Sequence, residues 1–171
     1  VKGHLKETAG MLLSLPFAIR NQFTVSLSTL EAGLAMREKL LGNHRKFYKD
    51  VAALADKHVV KAYVFTEPDD NGRLSEFIRI LTGHQISIYR LAKDINRDGV
   101  NYKAENSFIV PLKQNEYRFI RSLFDPVKEF TDSTFYDVST WVLPMAFNIQ
   151  YAPVTVMKEM EGLTGTEIRE P

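Results

Sequence analysis

The chain has no cysteine, a single tryptophan and no excess of either charge. Without cysteine there is no disulfide, no thiolate metal site and no cysteine nucleophile. Twenty-two basic residues against 21 acidic ones leave a formal charge of +1. The Lys and Arg are scattered, so there is no phosphate-tracking stripe and nucleic acid is not an expected partner. Apolar runs are broken by Lys, Arg or Pro well before the ~18 residues that a spanning helix needs, so no membrane span is expected. No signal peptide is visible, and with Val1 in first place any natural N-terminus is expected to have been removed. A Gly-x-Ser-x-Gly elbow, a phosphate-cradling glycine loop and a dinucleotide fingerprint are also missing, which leaves nucleophilic catalysis by Ser without support.

What is present is a globular composition. The 171 residues are 44% hydrophobic and 25% charged, with 11 Phe and 7 Tyr to fill a core. A chain of this length can remove about 70% of its unfolded surface from water, so one core suffices and no staple is required.

The first twenty residues mix Gly3, Gly10 and Pro16 with short apolar runs and read as turns and strand connections. From Phe23 the spacing turns helical: Phe23, Leu27, Leu30, Leu34 and Leu41, then Phe47, Val51 and Leu54, with a break or bend expected at Gly42-Asn43. Lys61 to Thr66 reads as a buried strand. Asp69-Asp70-Asn71-Gly72 supplies turn and N-cap chemistry for a helix with a stripe of Leu74, Phe77, Ile78 and Leu81 and a C-terminal cap at Gly83. Ile86 to Leu91 alternates as a second strand, giving a βαβ unit with an implied parallel pair. Ser107 to Leu112 is a third strand, with Pro111 near its end where a missing donor is tolerated. A helix carrying Tyr117, Ile120, Arg121 and Phe124 should stop at Asp125-Pro126. The expected fold is α/β, an open and mainly parallel sheet flanked by helices. Gly162 to Pro171 reads as a weakly ordered tail.

Asp94 to Glu105 matches the calcium-loop pattern, with oxygen ligands Asp94, Asn96, Asp98 and Glu105 at positions one, three, five and twelve and Gly99 at six. The flanks read as strands and position eight, normally apolar, is Asn101, so a solvated, turn-rich connection between two strands is the preferred reading of these residues. His4, His44, His58 and His84 show no His-x-x-Glu or His-Glu-x-x-His spacing for zinc. His58 and His84 fall near helix ends, where the dipole favours an imidazolium. Glu7, Glu31, Glu76 and Asp137 are carboxylates with nothing in sequence to pair them or raise a pKa, and solvation or capping is the expected role. Asp132, Tyr136, Asp137 and Trp141 combine aromatic area with polar tips and would suit a sugar or peptide groove. Phe135, Val138, Trp141 and Val142 also fit one apolar helix face ending near Pro144, and core packing is the preferred reading.

Gly3-His4-Leu5-Lys6-Glu7, Leu15-Pro16-Phe17-Ala18-Ile19-Arg20-Asn21-Gln22-Phe23 and Asp132 to Pro144 resemble the end of the peptidase domain and the following C-terminal region of large zinc carboxypeptidases of the carboxypeptidase A type. In that resemblance Leu15 to Ile19 looks like the strand closing the peptidase domain, and the zinc ligands, a His-x-x-Glu pair and a later histidine, lie upstream of Val1 with the general-base glutamate. Glu7 is not that glutamate. The region after the peptidase domain is similar to the class I glutamine amidotransferase-like fold, whose enzymes use a cysteine that this chain does not have. The resemblance also implies an exported, secreted or periplasmic setting.

The expected organisation is therefore a peptidase remnant at 1–22, an α/β module at 23–161 and a tail at 162–171. The expected role is that of a noncatalytic module packed on an upstream peptidase domain of the same chain, with zinc there, peptide as substrate of the whole protein and no catalytic, cofactor-binding or metal residue of its own. Two rivals stand beside it. One is a calcium-stabilised or glycan-binding domain resting on Asp94, Asn96, Asp98 and Glu105 or on Tyr136 to Trp141. The other is a flavodoxin-like small-molecule enzyme with its site near Glu67 and Arg90.

Overall fold

The computed structural model describes residues 14–126 and 142–168. They fall into two units, one running to Phe47 and the other starting at Tyr48.

The first unit is helical. α1 (Leu15–Ala35) starts at Ser14, whose hydroxyl accepts the Phe17 N–H, with Pro16 in the first turn where its missing donor is harmless. The expected strand at Leu15 to Ile19 is thus the opening of a helix, and residue 22 lies inside it. The hydroxyls of Thr24, Ser26 and Thr29 bond back to the carbonyls of Arg20, Gln22 and Val25, so these polar groups are satisfied within the helix. The break comes at Met36 rather than at Gly42-Asn43, which sits inside α2 (Arg37–Lys49). One glycine costs about 1 kcal/mol in a helix, and the surrounding Glu38, Lys39, Leu40, Leu41, Arg45 and Lys46 outweigh it.

The second unit opens with the end of α2 and α3 (Val51–Lys57), and its centre is a five-stranded sheet. β1 (Ala62–Thr66), α4 (Asn71–Gly83), β2 (Ile88–Leu91), the hairpin of β3 (Ile95–Arg97) and β4 (Val100–Tyr102), and β5 (Ser107–Pro111) follow in chain order. After them come α5 (Tyr117–Phe124), α6 (Leu143–Ala146), β6 (Gln150–Val154), α7 (Met157–Leu163) and β7 (Thr164–Ile168). The sheet order is β6-β1-β5-β2-β7 and every neighbouring pair is antiparallel. This corrects the expected parallel sheet. β1 and β2 do run the same way, but β5 returns between them, so the pair read as adjacent never touches. Both the amidotransferase-like and the flavodoxin-like arrangements need neighbouring parallel strands. The observed β-α-β-β-α-β course is instead the split, ferredoxin-like one, with β7 added beyond β2.

Both faces of this sheet are covered. On one, Tyr63, Phe65, Ile88, Phe108 and Val110 meet Leu74, Phe77, Ile78 and Leu81 of α4 and Tyr117, Ile120 and Phe124 of α5, with Val51 and Ala55 of α3 in the same core. Tyr63 stacks on Phe124 at 4.9 Å and Phe65 meets Phe77 edge-on at 5.1 Å. On the other face Ala62, Val64, Leu91, Ile109, Ala152 and Val154 pack with Tyr102 of the hairpin and Leu163 of α7. Arg97 pairs with Glu159, tying the hairpin to α7.

Three ends differ from expectation. α4 stops in a Schellman arrangement in which Gln85 donates to Thr82 O at 2.8 Å and Ile86 to Leu81 O at 3.1 Å. The left-handed residue is therefore Gln85, with φ 61°, and Gly83 is merely the last helical residue. Pro144, expected near a helix end, sits in the first turn of α6 and is buried. The segment from Gly162, expected as a loose tail, finishes α7 and provides β7, the edge strand beside β2.

Gly165 is fixed by space: a Cβ there would lie 2.7 Å from the Arg90 carbonyl oxygen. Gly165→Ala should therefore destabilise the second unit by about 1–3 kcal/mol in urea melts. Gln85→Gly should stabilise it by about 0.5–1 kcal/mol, since it removes a Cβ from the left-handed region at some cost in unfolded-chain entropy.

Candidate functional site

The described residues bring together two polar constellations and a cleft. The first constellation lies where β1 meets the end of α5. The Tyr63 hydroxyl donates to Asp125 Oδ1, and Arg121 Nε donates to Asp125 Oδ2 at 2.6 Å. Burial, and then the hydrogen bond to Asp125, pushes the Tyr63 hydroxyl well above its ordinary pKa, so it stays protonated and acts as a donor. Tyr151 of β6 is raised for the same reasons, burial first and the Asp125 charge second. This group ties the sheet to the α5 C-terminus and engages the carboxylate on both oxygens.

The second constellation is at the start of α4. Asp70 caps the helix by accepting the Arg73 N–H at 2.9 Å. Glu67, buried just past β1, accepts the Asp69 N–H at 3.2 Å and pairs with Arg73 at 3.3 Å. Glu67 is thus committed to the β1-α4 turn.

Arg90 is placed differently. It shares the helix-covered face of β2 with Ile88, and its guanidinium lies over the Phe108 ring, 5.6 Å from the centroid. The β2-β7 register shifts here: Tyr89 faces Glu167 and Leu91 faces Thr164, so Gly165 and Thr166 together oppose Arg90 alone. That is a bulge, a device that redirects a side chain. Beside it opens a cleft of about 260 Å³ lined by α4, the β4-β5 connection and strands β2, β5 and β7. Asn71, Ser75 and Asn106 give it polar atoms, and Arg90 and Glu105 give it opposite charges.

The calcium-type residues are spread along the hairpin. Asp94 Oδ1 accepts the Ala104 N–H at 2.8 Å and closes the hairpin base. Asn96 faces Asn101 across the ladder. Asp98 and Gly99, with φ of 52° and 81°, form its two-residue turn, both in the left-handed region as a type I′ turn requires. Glu105 lines the cleft. Among the described residues no three His, Cys, Asp or Glu side chains form a group able to hold a metal.

His58 and His84 are the C-terminal caps of α3 and α4, as their positions in sequence implied. His44 lies within α2 and Glu31 within α1. Glu76 is exposed and its carboxyl is held below the usual range by the hydrogen bond from Arg79. His4, Glu7, Asp132, Phe135, Tyr136, Asp137, Val138 and Trp141 lie outside the described residues. Sequence reasoning pointed to Arg90 and Glu105 separately; only the return of β5 beside β2 puts them on one cleft. No family model, curated protein or solved structure matches this chain.

Tyr63 and Tyr102 make the fold sensitive to alkali. Burial, then the Asp98 charge, pushes Tyr102 up to about 12. A tyrosine whose folded pKa exceeds its unfolded value near 10 contributes stability below pH 10, which is lost as pH rises through the folded pKa, because the unfolded chain releases its proton first. Unfolding free energy should hold level to about pH 9.5 and then fall by roughly 1.4 kcal/mol per pH unit for each such tyrosine. Tyr63→Phe should reduce that slope in denaturant titrations.

Proposed function

We propose that this chain is a noncatalytic module of a zinc carboxypeptidase-like protein and that its first unit provides the surface on which an upstream peptidase domain rests. The observation that carries the reading is α1, whose first turns hold the resembling segment Leu15 to Phe23 and which buries none of its residues. Leu15, Phe23 and Leu30 are 74%, 65% and 72% exposed, and Ile19, Leu27 and Leu34 are exposed with them. Such a stripe on one helix is a surface for another body. In the second unit the polar groups have structural duties: Glu67 and Asp70 organise the start of α4, Asp94 closes the hairpin, and Asp125 joins β1 to α5.

In this reading zinc belongs to the upstream domain, where it would activate water against a C-terminal peptide bond. The chain's own share is packing. The calcium alternative has less support, since the twelve-residue match is laid out as a hairpin with Asp98 at its tip and Glu105 beyond its base.

The test uses the complete protein encoded by the gene. It should contain zinc by elemental analysis and release C-terminal residues from peptides, whereas residues 1–171 alone should release none with or without added zinc. Ile19→Ser with Phe23→Ser should lower the stability of the complete protein by more than about 2 kcal/mol, the scale for buried large-to-small changes. The same pair in residues 1–171 should stay within about 0.5 kcal/mol per site, the scale for exposed positions. Turnover by residues 1–171, or a complete protein without zinc, defeats the reading.

A further inference from the structure

We infer that the cleft between α4 and the β2-β5 strands binds a free α-amino acid with a branched or aromatic side chain. The inference does not depend on the peptidase assignment. Its basis is the set of groups that meet there. Leu74 and Ile78 of α4, Phe108 of β5 and Ile168 of β7 form an apolar wall. Arg90 and Glu105 stand on the same cleft and form no ion pair with each other. Among the described residues Arg90 has the Phe108 ring as its neighbour and no carboxylate or carbonyl partner. Arg73, Arg79, Arg97 and Arg121, by contrast, each pair with a carboxylate.

A guanidinium stacked on an aromatic ring keeps its fork of donors free for a carboxylate, which it takes bidentately. A carboxylate on the same cleft, here Glu105, takes an ammonium. One small zwitterion satisfies both charges and lays its side chain on the apolar wall, which neither a simple anion nor a simple hydrocarbon does. The volume agrees: at about 260 Å³ the cleft is smaller than sites for drug-sized ligands, which begin near 300 Å³, so it suits a single residue. The bulge at Arg90 gives a reason for the irregular edge. A glycine at 165 lets β7 pass close to the Arg90 carbonyl, and Arg90 and Ile168 both line the cleft.

Residues 1–171 should be titrated with leucine, glycine, leucinamide and N-acetylleucine by calorimetry and by amide NMR shifts. Leucine should perturb Leu74, Arg90 and Phe108 and bind at least about tenfold more tightly than glycine, about what a buried isobutyl group contributes. Leucinamide, without the carboxylate, and N-acetylleucine, without the ammonium, should each bind about tenfold more weakly or worse. Arg90→Gln should weaken leucine by a similar factor. Glu105→Gln should weaken leucine while leaving N-acetylleucine unchanged. Both positions are exposed, so neither change should disturb folding, which the thermal midpoint checks. Ser75→Tyr, at an exposed position on the cleft, is the second variant and should block leucine by filling the space.

The inference is overturned if leucine up to about 10 mM, a concentration that detects even very weak binding, moves no resonance of these residues. It is equally overturned if Arg90→Gln binds leucine as the parent does, or if N-acetylleucine binds as tightly as leucine, since the zwitterion is then not what is recognised.

Discussion

The second unit depends on β1 being buried on both faces. Its five residues, Ala62 to Thr66, are all inaccessible, and the strand lies second from one edge of the sheet with β5 on one side and β6 on the other. Tyr63 and Phe65 point into the aromatic core under α4 and α5, while Ala62 and Val64 point into the smaller core under the hairpin and α7. A sheet covered twice has little tolerance for a shift of register, since a one-residue slip would exchange tyrosine and phenylalanine with alanine and valine. The size difference between the two cores enforces this: the bulky rings need the room that three helices enclose, and the small residues allow the hairpin and α7 to sit close.

The same double cover explains what could be read in the sequence and what could not. The stripes of α4 and α5 were legible because each helix buries one side and leaves the other wet, which produces the 3.6-residue period. Strand pairing was not legible. An unbroken apolar run such as Ala62 to Phe65 reports two covered faces, and parallel sheets are the usual place to find them. Here the second cover is a β-hairpin and a short helix, contributed by segments whose own patterns are mostly polar. β6 was hidden by Pro153, which only an edge strand accommodates, and β7 by its Thr-Gly-Thr start, which carries no large apolar side chain. Tyr63 and Asp125, 62 positions apart, share a hydrogen bond that no local pattern announces.

Asp94 to Glu105 shows how one set of residue types serves two ends. Asp, Asn and Gly at short spacing give a cation its oxygens, and they also give the backbone its caps and left-handed turns. In this chain Asp94 spends one carboxylate oxygen on the Ala104 N–H, and Asp98-Gly99 is spent on reversing the chain. What distinguishes the two uses is the course of the flanking backbone. An EF-hand loop wraps around a point between helices, whereas a ladder with Arg97 opposite Val100 and Asn96 opposite Asn101 extends away from one. The motif therefore signalled an ordered turn correctly and left its chemistry open.

Apolar residues are used differently in the two units, and this bears on function. Among the described residues from Val51 onward the large apolar side chains mostly gather into two cores, and those that remain exposed, such as Val59, Met145 and Val156, are scattered singly as on any globular surface. In α1 they stay out in the open at spacings of three and four, from Ile19 through Phe23, Leu27, Leu30 and Leu34. Helix formation alone does not require that pattern. Thr24, Ser26 and Thr29 even close their hydroxyls on their own helix, which lowers the cost of seating this element against an apolar neighbour. A helix of this length draws most of its stability from packing, so a stripe left exposed adds little to it and is costly to keep in water. The stripe is therefore an apolar surface of the kind that another body covers, which is the ground of the proposal made above.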